Sequence, residues 1–93
     1  MIGKFVIVRT FRAGVHCGVL REVGGGVVIL TDARRIWRWR GANSLHELSI
    51  HGAAREYTRI SEPVVEIMLL DAIEVIPCEP KAEADLRQSR WGT

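Results

Sequence analysis

Four short runs of apolar, mostly β-branched residues constrain the fold of this chain more than any other feature. They cover residues 5–8, 27–30, 64–70 and 73–76. Branched side chains pack well on a pleated surface, and the first run, which is apolar on both faces, indicates a strand that is covered on two sides. The 93 residues suffice for one domain, near the lower size limit for an independent core. We therefore expect an α+β fold: a small, mostly antiparallel β domain with one short central helix and a weak C-terminal helix.

A glycine triplet predicts a hairpin in the first half of the chain. Residues 15–22 alternate, with Val15, Cys17 and Val19 on one face. The triplet 24–26 follows, and glycine adopts the positive φ angles of a tight turn without steric cost. The triplet lacks the spacing and the terminal Lys-Ser/Thr of a phosphate-binding loop, so a turn is the favoured interpretation.

The second half of the chain predicts another pair of strands. Residues 64–70 and 73–76 flank a turn at Asp71, and Pro77 ends the second run. A helix over 65–76 is the alternative. Strands are favoured because β-branched residues dominate both runs.

Residues 44–47 have the sequence of a helix capping box. Ser44 and Glu47 satisfy backbone N–H groups at the start of a helix, which we expect to run to His51 and to end at Gly52.

The end of the chain is helix-prone but weakly amphipathic over residues 81–88. We expect a single domain over 1–93, with a core over 1–80 and a tail over 81–93. The tail is either frayed or a helix that docks through Leu86 and Trp91.

The net charge of +2 hides an asymmetry between the two halves. Residues 1–40 hold eight basic and two acidic residues, a balance of +6, and residues 41–93 hold five basic and nine acidic residues, a balance of −4. Opposed halves can be complementary within the fold or between subunits. Because several strands of this short chain are apolar on both faces, we expect burial against a second copy, and hence a homo-oligomer.

Cysteine use and hydropathy indicate the compartment. Cys17 and Cys78 are far apart and lack a Cys-x-x-Cys partner, which is typical of buried thiols in a reducing cytosol. The apolar stretch near the start is too short for a signal peptide or a membrane span. We expect a soluble, cytoplasmic protein without a membrane partner.

Residues 34–40 are the one segment whose composition indicates chemistry. They hold four of the chain's 11 arginines and two of its three tryptophans. Arginine offers a planar fork of donors to phosphate, and indole offers a face on which a base can stack. With a period of two, Arg34, Ile36, Arg38 and Arg40 share one face, and Arg35, Trp37 and Trp39 share the other. In one interpretation the indoles pack on the core and the arginines stay exposed.

This run forms the centre of a candidate ligand-binding site. Arg12 precedes a glycine and can reach the same surface, and Ser44 begins a helix just after the run. The candidate residues are Arg12, Arg34, Arg35, Trp37, Arg38, Trp39, Arg40 and Ser44. In the structural alternative, the tryptophans are core residues and the arginines pair with Glu66 and Glu74.

No catalytic or metal-binding constellation is evident in the sequence. His46 and His51 are five apart and cannot share a metal ion as an i, i+4 pair would. His16 and Cys17 are adjacent on a strand and point to opposite faces. No nucleophile has a base at a suitable spacing. We expect neither an enzyme nor a cofactor.

Three blocks of the sequence resemble a small, uncharacterised protein family that tailed bacteriophages and prophages encode. The blocks are VRTFRAGVHCGVL (8–20), ARRIWRWRGANSLHEL (33–48) and EPVVEIMLLDAIEVIPC (62–78). The resemblance implies expression inside an infected or lysogenic bacterium. Phage proteins of this size include virion parts, regulators of DNA and inhibitors of host defence, among them oligomers that trap nucleotide signals. The resemblance assigns no functional residues.

The sequence therefore leads to a ranked set of hypotheses. The first is a non-enzymatic protein that captures a small nucleotide-like anion and sequesters a host immune signal. The alternative is a structural or protein-interaction subunit of a homo-oligomer. Weak binding to nucleic acid ranks third, because the second half of the chain is acidic.

Overall fold

The computed structural model describes residues 1–39, 44–53 and 58–88. These residues form a mostly antiparallel β-sheet with two short helices, so the α+β class is confirmed. The elements are β1 (Phe5–Thr10), β2 (Val15–Gly24), β3 (Val27–Arg38), α1 (Leu45–His51), β4 (Arg59–Ile60), β5 (Val64–Leu69), β6 (Ala72–Pro77) and α2 (Pro80–Leu86).

Strands β1, β2 and β3 form an antiparallel meander, and the remaining strands extend it at both edges. Strands β4 and β5 both pair with β3, whereas β6 pairs with β1. The expected pairing between the two runs on either side of Asp71 is therefore wrong. The two runs form β5 and β6, which lie against opposite edges of the meander although two residues separate them along the chain.

The β2–β3 hairpin curls over the sheet and brings these two edges together. The N–H of Ala72 donates to the carbonyl of Gly26 at the hairpin tip (2.9 Å), and the N–H of Phe11 donates to the carbonyl of Asp71 (3.0 Å). Asp71 has a φ of 56°, in the left-handed region. Residues 64–77 thus pass from β3 to β1 and close a ring of strands through the turn at Asp71 rather than through a β5–β6 ladder.

Irregular pairing in the β2–β3 hairpin accounts for the curl. The register shifts between Cys17 and Val19, where Gly18 lies opposite an irregular part of β3. A Cβ on Gly18 would lie 2.9 Å from the carbonyl oxygen of Thr31, a backbone atom that cannot move aside. Asp32 has a φ of 52° within β3 rather than at a turn, as a bulged strand requires.

The ring has an apolar core on each side of β1. Phe5 and Ile7 contribute to the first core, which the helices cover, and Val6 and Val8 contribute to the second, which the ring encloses. All four side chains are buried, which confirms that this strand is covered on both faces. The first core contains Phe5, Ile7, Cys17, Ile36, Leu48, Ile60 and Leu86. The second core contains Val6, Val8, Leu20, Val28, Leu30, Ala33 and Leu69.

Helix α1 has the expected limits. The Ser44 hydroxyl accepts a hydrogen bond from the N–H of Glu47 (3.2 Å). Gly52 ends the helix with a φ of 76°, and its N–H donates to the carbonyl of Leu48. Leu48 is fully buried in the first core.

Helix α2 docks on the same core. Pro80 stands in its first turn, and Ala82 and Leu86 are fully buried. The Asp85 carboxylate accepts a hydrogen bond from the N–H of Ala53 (2.9 Å), which ties α2 to the end of α1. Residues 80–86 thus complete the first core, and Trp91 lies outside the described residues.

Candidate ligand-binding site

The second half of β3 presents the Arg/Trp run. Ile36 is buried in the first core, whereas Arg35 and Arg38 are exposed and Trp37 is 47% exposed. Trp39 packs partly against the first core. The interpretation that both indoles pack on the core is therefore wrong for Trp37. Ile36 takes the inward position, and the register with β4 then shifts between Ile36 and Arg38, which breaks the simple alternation.

A cleft lies between the end of β3 and the loop that joins β1 to β2. We call it the Trp cleft; it has a volume of about 370 Å³. It is lined by Arg12, Ala13, Gly14, Val15, Arg35, Ile36, Trp37 and Trp39. The fold thus brings together four of the residues that the sequence singled out: Arg12, Arg35, Trp37 and Trp39.

The β1–β2 loop holds Arg12 at this cleft. Gly14 has a φ of 83°, and its carbonyl accepts hydrogen bonds from both the N–H (3.0 Å) and the hydroxyl (2.9 Å) of Thr10. The Arg12 guanidinium lies over the exposed Phe11 ring, 5.7 Å from its centroid. Arg12 is exposed, so its charge is presented at the surface.

The two glutamates that the structural alternative named form ion pairs with arginines outside this run. Glu66 forms its ion pair with Arg21, and Glu74 forms its ion pair with Arg9 (3.2 Å). Among the described residues, no carboxylate lies within ion-pair distance of Arg35. The Arg35 guanidinium is thus available to an anion from solution.

A second cleft, the His cleft, opens on the other side of Arg35 and has a volume of about 290 Å³. It is lined by His16, Ala33, Arg34, Arg35, Ser61, Val64 and Ile67. Arg34 donates to the carbonyl of Ser61 (3.3 Å), and the N–H of Arg35 donates to the hydroxyl of Ser61 (2.8 Å). These bonds fix the loop after β4 against β3 and shape one wall of the cleft.

His16 contributes a buried imidazole to the His cleft and pairs with Arg35 across the β2–β3 ladder. Its ring is 2% exposed, and its Nε2–H donates to the carbonyl of Ala13 (2.9 Å). Burial lowers the pKa of His16, and the nearby charge of Arg35 lowers it further, against the opposing effect of the Ala13 hydrogen bond. The ring is therefore neutral near pH 7, and its Nδ1 carries a lone pair.

The candidate site predicted from the sequence does not include His16, because the histidines were considered only as metal ligands. The feature of the sequence that could have drawn attention to His16 is its position. It alternates with the apolar Cys17 in a strand that neighbours the Arg/Trp run. The pairing of His16 with Arg35 required the β2–β3 register, which the glycine triplet alone does not determine.

The other predicted site residues lie elsewhere. Arg38 lines neither of the two clefts and stands opposite Arg59 of β4. Ser44 caps α1 and lines neither cleft. Arg40 lies outside the described residues. Arg34 lines the His cleft rather than the Trp cleft.

The two thiols are part of the packing. Cys17 is fully buried and Cys78 is half-buried against the first core, and burial raises the pKa of each to about 12. Both thiols are therefore protonated near neutral pH and are poor nucleophiles.

Residues 1–39, 44–53 and 58–88 contain no group of three or more His, Cys, Asp or Glu side chains that could hold a metal ion. Within the same ranges, no helix is long and apolar enough to cross a membrane.

The fold and the two clefts define a small α+β domain with an arginine- and tryptophan-lined surface. Residues 3–86 match a family described as a domain of unknown function, DUF6948, and the chain belongs to this family. No curated protein and no solved structure matches the chain.

Proposed function

We propose that this protein binds a small nucleotide-like anion in the Trp cleft. The observation that supports the proposal is the meeting of two guanidinium groups, Arg12 and Arg35, with the indoles of Trp37 and Trp39 around one cleft. Arg12 comes from the β1–β2 loop and the others from β3, so their proximity is a property of the fold. Guanidinium groups bind phosphate oxygens through paired donors, and an indole face stacks on a base.

The dimensions and charge of the site favour a small molecule over a nucleic acid strand. A cleft of about 370 Å³ lies within the range of small-molecule sites. Nucleic acid binding calls for basic charge along an extended track. Here the strand beside β3 carries the exposed Glu66, and residues 41–93 have a balance of −4. A strand of nucleic acid would meet this acidic surface.

We propose a binding role without catalysis. The thiols of Cys17 and Cys78 are buried and protonated, which leaves no activated sulfur nucleophile. The resemblance of three sequence blocks to phage and prophage proteins supports a role inside the bacterial cytoplasm. In that setting, the protein would sequester a nucleotide signal of host immunity.

The test measures the binding of nucleotides to purified protein by isothermal titration calorimetry and by tryptophan fluorescence. Adenosine and guanosine mono-, di- and triphosphates form the panel. For the nucleotide that binds, Arg35→Ala and Trp37→Ala should each raise the Kd by roughly tenfold to a hundredfold, because each removes a charge-assisted contact or a stacking surface. The matched control is Arg21→Ala, which removes the same charge from an exposed ion pair with Glu66.

The proposal fails if wild-type protein binds no member of the panel. It also fails if Arg21→Ala weakens binding as much as Arg35→Ala does, since the effect would then be one of net charge alone.

Exposed apolar side chains in β5 and the following turn support a second candidate, a subunit of a homo-oligomer. Val65 is 88% exposed, Leu70 is 60% exposed and Met68 is 59% exposed. In the described part of the chain, β5 pairs only with β3, so its other edge is open to a further strand. An apolar strand edge of this kind is unusual on a monomer.

Light scattering coupled to size-exclusion chromatography tests this candidate over a range of protein concentrations. The double variant Val65→Lys/Met68→Lys should shift an oligomer to monomer, because lysine on a strand edge opposes pairing with another strand. Val23→Lys, at an exposed site in β2, is the control and should leave the mass unchanged. A wild-type protein that is monomeric throughout would exclude the second candidate.

A further inference from the structure

We propose that the His cleft is a second base-binding subsite, so that the ligand is a dinucleotide whose linking phosphate lies at Arg35. This inference rests on the proposed function and specifies its ligand. Arg35 lines both clefts, and among the described residues it has no carboxylate partner. A phosphodiester has a nucleoside on each side. A single arginine that lines both clefts matches that chemistry.

In this proposal His16, which lines the His cleft, supplies the acceptor for the second base. Its Nε2–H is already used by the Ala13 carbonyl, which leaves the Nδ1 lone pair of a neutral ring. The ring is 2% exposed, and Nδ1 has no partner among the described residues. A buried acceptor without a donor is costly, and a ligand N–H would satisfy it. The amino and imino groups of nucleobases are such donors.

The walls of the His cleft suit the faces of a heterocycle. Ala33, Val64 and Ile67 supply apolar surface. The Ser61 hydroxyl is already committed, because it accepts from the N–H of Arg35 and donates to the carbonyl of Glu62 (3.1 Å). The volume of about 290 Å³ lies near the lower end for small-molecule sites, which fits one base rather than a whole nucleotide chain.

The two clefts therefore divide the ligand between them. One base stacks on the indoles of the Trp cleft, the phosphate meets Arg35 with help from Arg12, and the second base enters the His cleft and donates to His16. A mononucleotide makes only the first two sets of contacts.

The experiment compares three probes by calorimetry: adenosine monophosphate, an adenosine bisphosphate, and linear diadenylate with a terminal phosphate. The bisphosphate adds a phosphate without a second base, so it separates charge from the second subsite. For wild-type protein, diadenylate should bind at least about tenfold more tightly than either of the others, because its second base adds apolar burial and a hydrogen bond to His16.

Two variants test whether the higher affinity for diadenylate arises in the His cleft. Val64→Phe, at a half-exposed position, fills the His cleft from its rim. His16→Gln retains an N–H donor for the Ala13 carbonyl, but its acceptor oxygen does not take the position of the His16 Nδ1. Each should reduce the affinity for diadenylate to that for the monophosphate and leave the monophosphate unaffected. Circular dichroism of both variants checks that the fold is intact.

The outcomes separate this inference from the proposed function. If the monophosphate binds and depends on Arg35, but diadenylate gains nothing or is insensitive to Val64→Phe, the second subsite is excluded and the proposed function stands. If affinity keeps rising through longer oligoadenylates and falls steeply with salt, the ligand is single-stranded nucleic acid and the inference is overturned. If none of these probes binds and the guanosine nucleotides of the first panel do not bind either, both proposals fall.

Discussion

His16 places a titratable ring where water is almost excluded. Its alternation with Cys17 puts the two side chains on opposite faces of β2, so that Cys17 enters the first core while His16 lies at the His cleft. The charge of Arg35 and the loss of hydration both disfavour the imidazolium. Protonation would also remove the Nδ1 lone pair that the proposed second subsite requires.

Stability should fall as the pH is lowered through the ordinary pKa of histidine. The folded-state pKa of His16 lies below its ordinary value of 6.5. In the interval between the two, the unfolded chain binds a proton that the folded chain does not, so the free energy of unfolding decreases with falling pH. Urea denaturation at pH 7.5 and 5.5 measures the change, and His16→Gln should lessen it. A ring that titrates above 6.5 by NMR would contradict the assignment.

The two helices depend on different interactions, local capping for α1 and tertiary packing for α2. Helix α1 has its start and stop in local chemistry, the Ser44 cap and the positive φ of Gly52. Helix α2 has no side-chain hydrogen bond at its N-cap and a weak apolar pattern. It is stabilised by the burial of Ala82 and Leu86 and by the bond between Asp85 and the N–H of Ala53. Packing, rather than propensity, therefore maintains α2.

Truncation of Leu86 tests how far α2 belongs to the core. Leu86→Ala should reduce the free energy of unfolding by about 2–5 kcal/mol, because it opens a cavity in the first core. Lys81→Ala, at an exposed position of the same helix, should change it by less than about 0.5 kcal/mol. Chemical denaturation of both variants gives the comparison. Equal effects would mean that α2 contributes no core packing.

The whole molecule is organised by the closure of the strand ring. The β2–β3 hairpin curls because Gly18 allows close approach to Thr31 and because Asp32 adopts a left-handed conformation in a bulge. The curl encloses the second core and brings the tip of the hairpin to the kink at Asp71. The same curvature separates β5 from β6 and forms the mouth in which the His cleft opens.

Hydrogen exchange of the Ala72 amide reports on ring closure. This N–H donates to the carbonyl of Gly26, so it should exchange only when the ring opens, at a rate close to that of the buried β1 amides. Asp71→Val should accelerate the exchange, because a β-branched residue at a φ of 56° is strained by about 1–2 kcal/mol. Asp71→Asn is the control, since asparagine tolerates that conformation. Rapid exchange at Ala72 in the wild-type protein would contradict the closed ring.

Local sequence patterns predicted those structural features that depend on interactions between residues close together along the chain. The strand at residues 5–8, the hairpin at the glycine triplet and both ends of α1 follow from side-chain branching, glycine conformation and capping, and the structure confirms them. The proposal of a binding site at residues 34–40 also rests on composition, and it remains a prediction. Each of these features involves interactions within a few residues, which a linear pattern records.

Only the tertiary structure decided which distant groups meet. The pairing of β5 with β3 and of β6 with β1 depends on the curl of a hairpin, which arises from bulges that no periodicity reveals. Which face of β3 is inward depends on the helices that pack there, so Ile36 is buried and Trp37 is exposed. Arg35 acquires Arg12 on one side and His16 on the other through loop closure and strand register. Long-range packing free energy, summed over the two cores, selects these contacts.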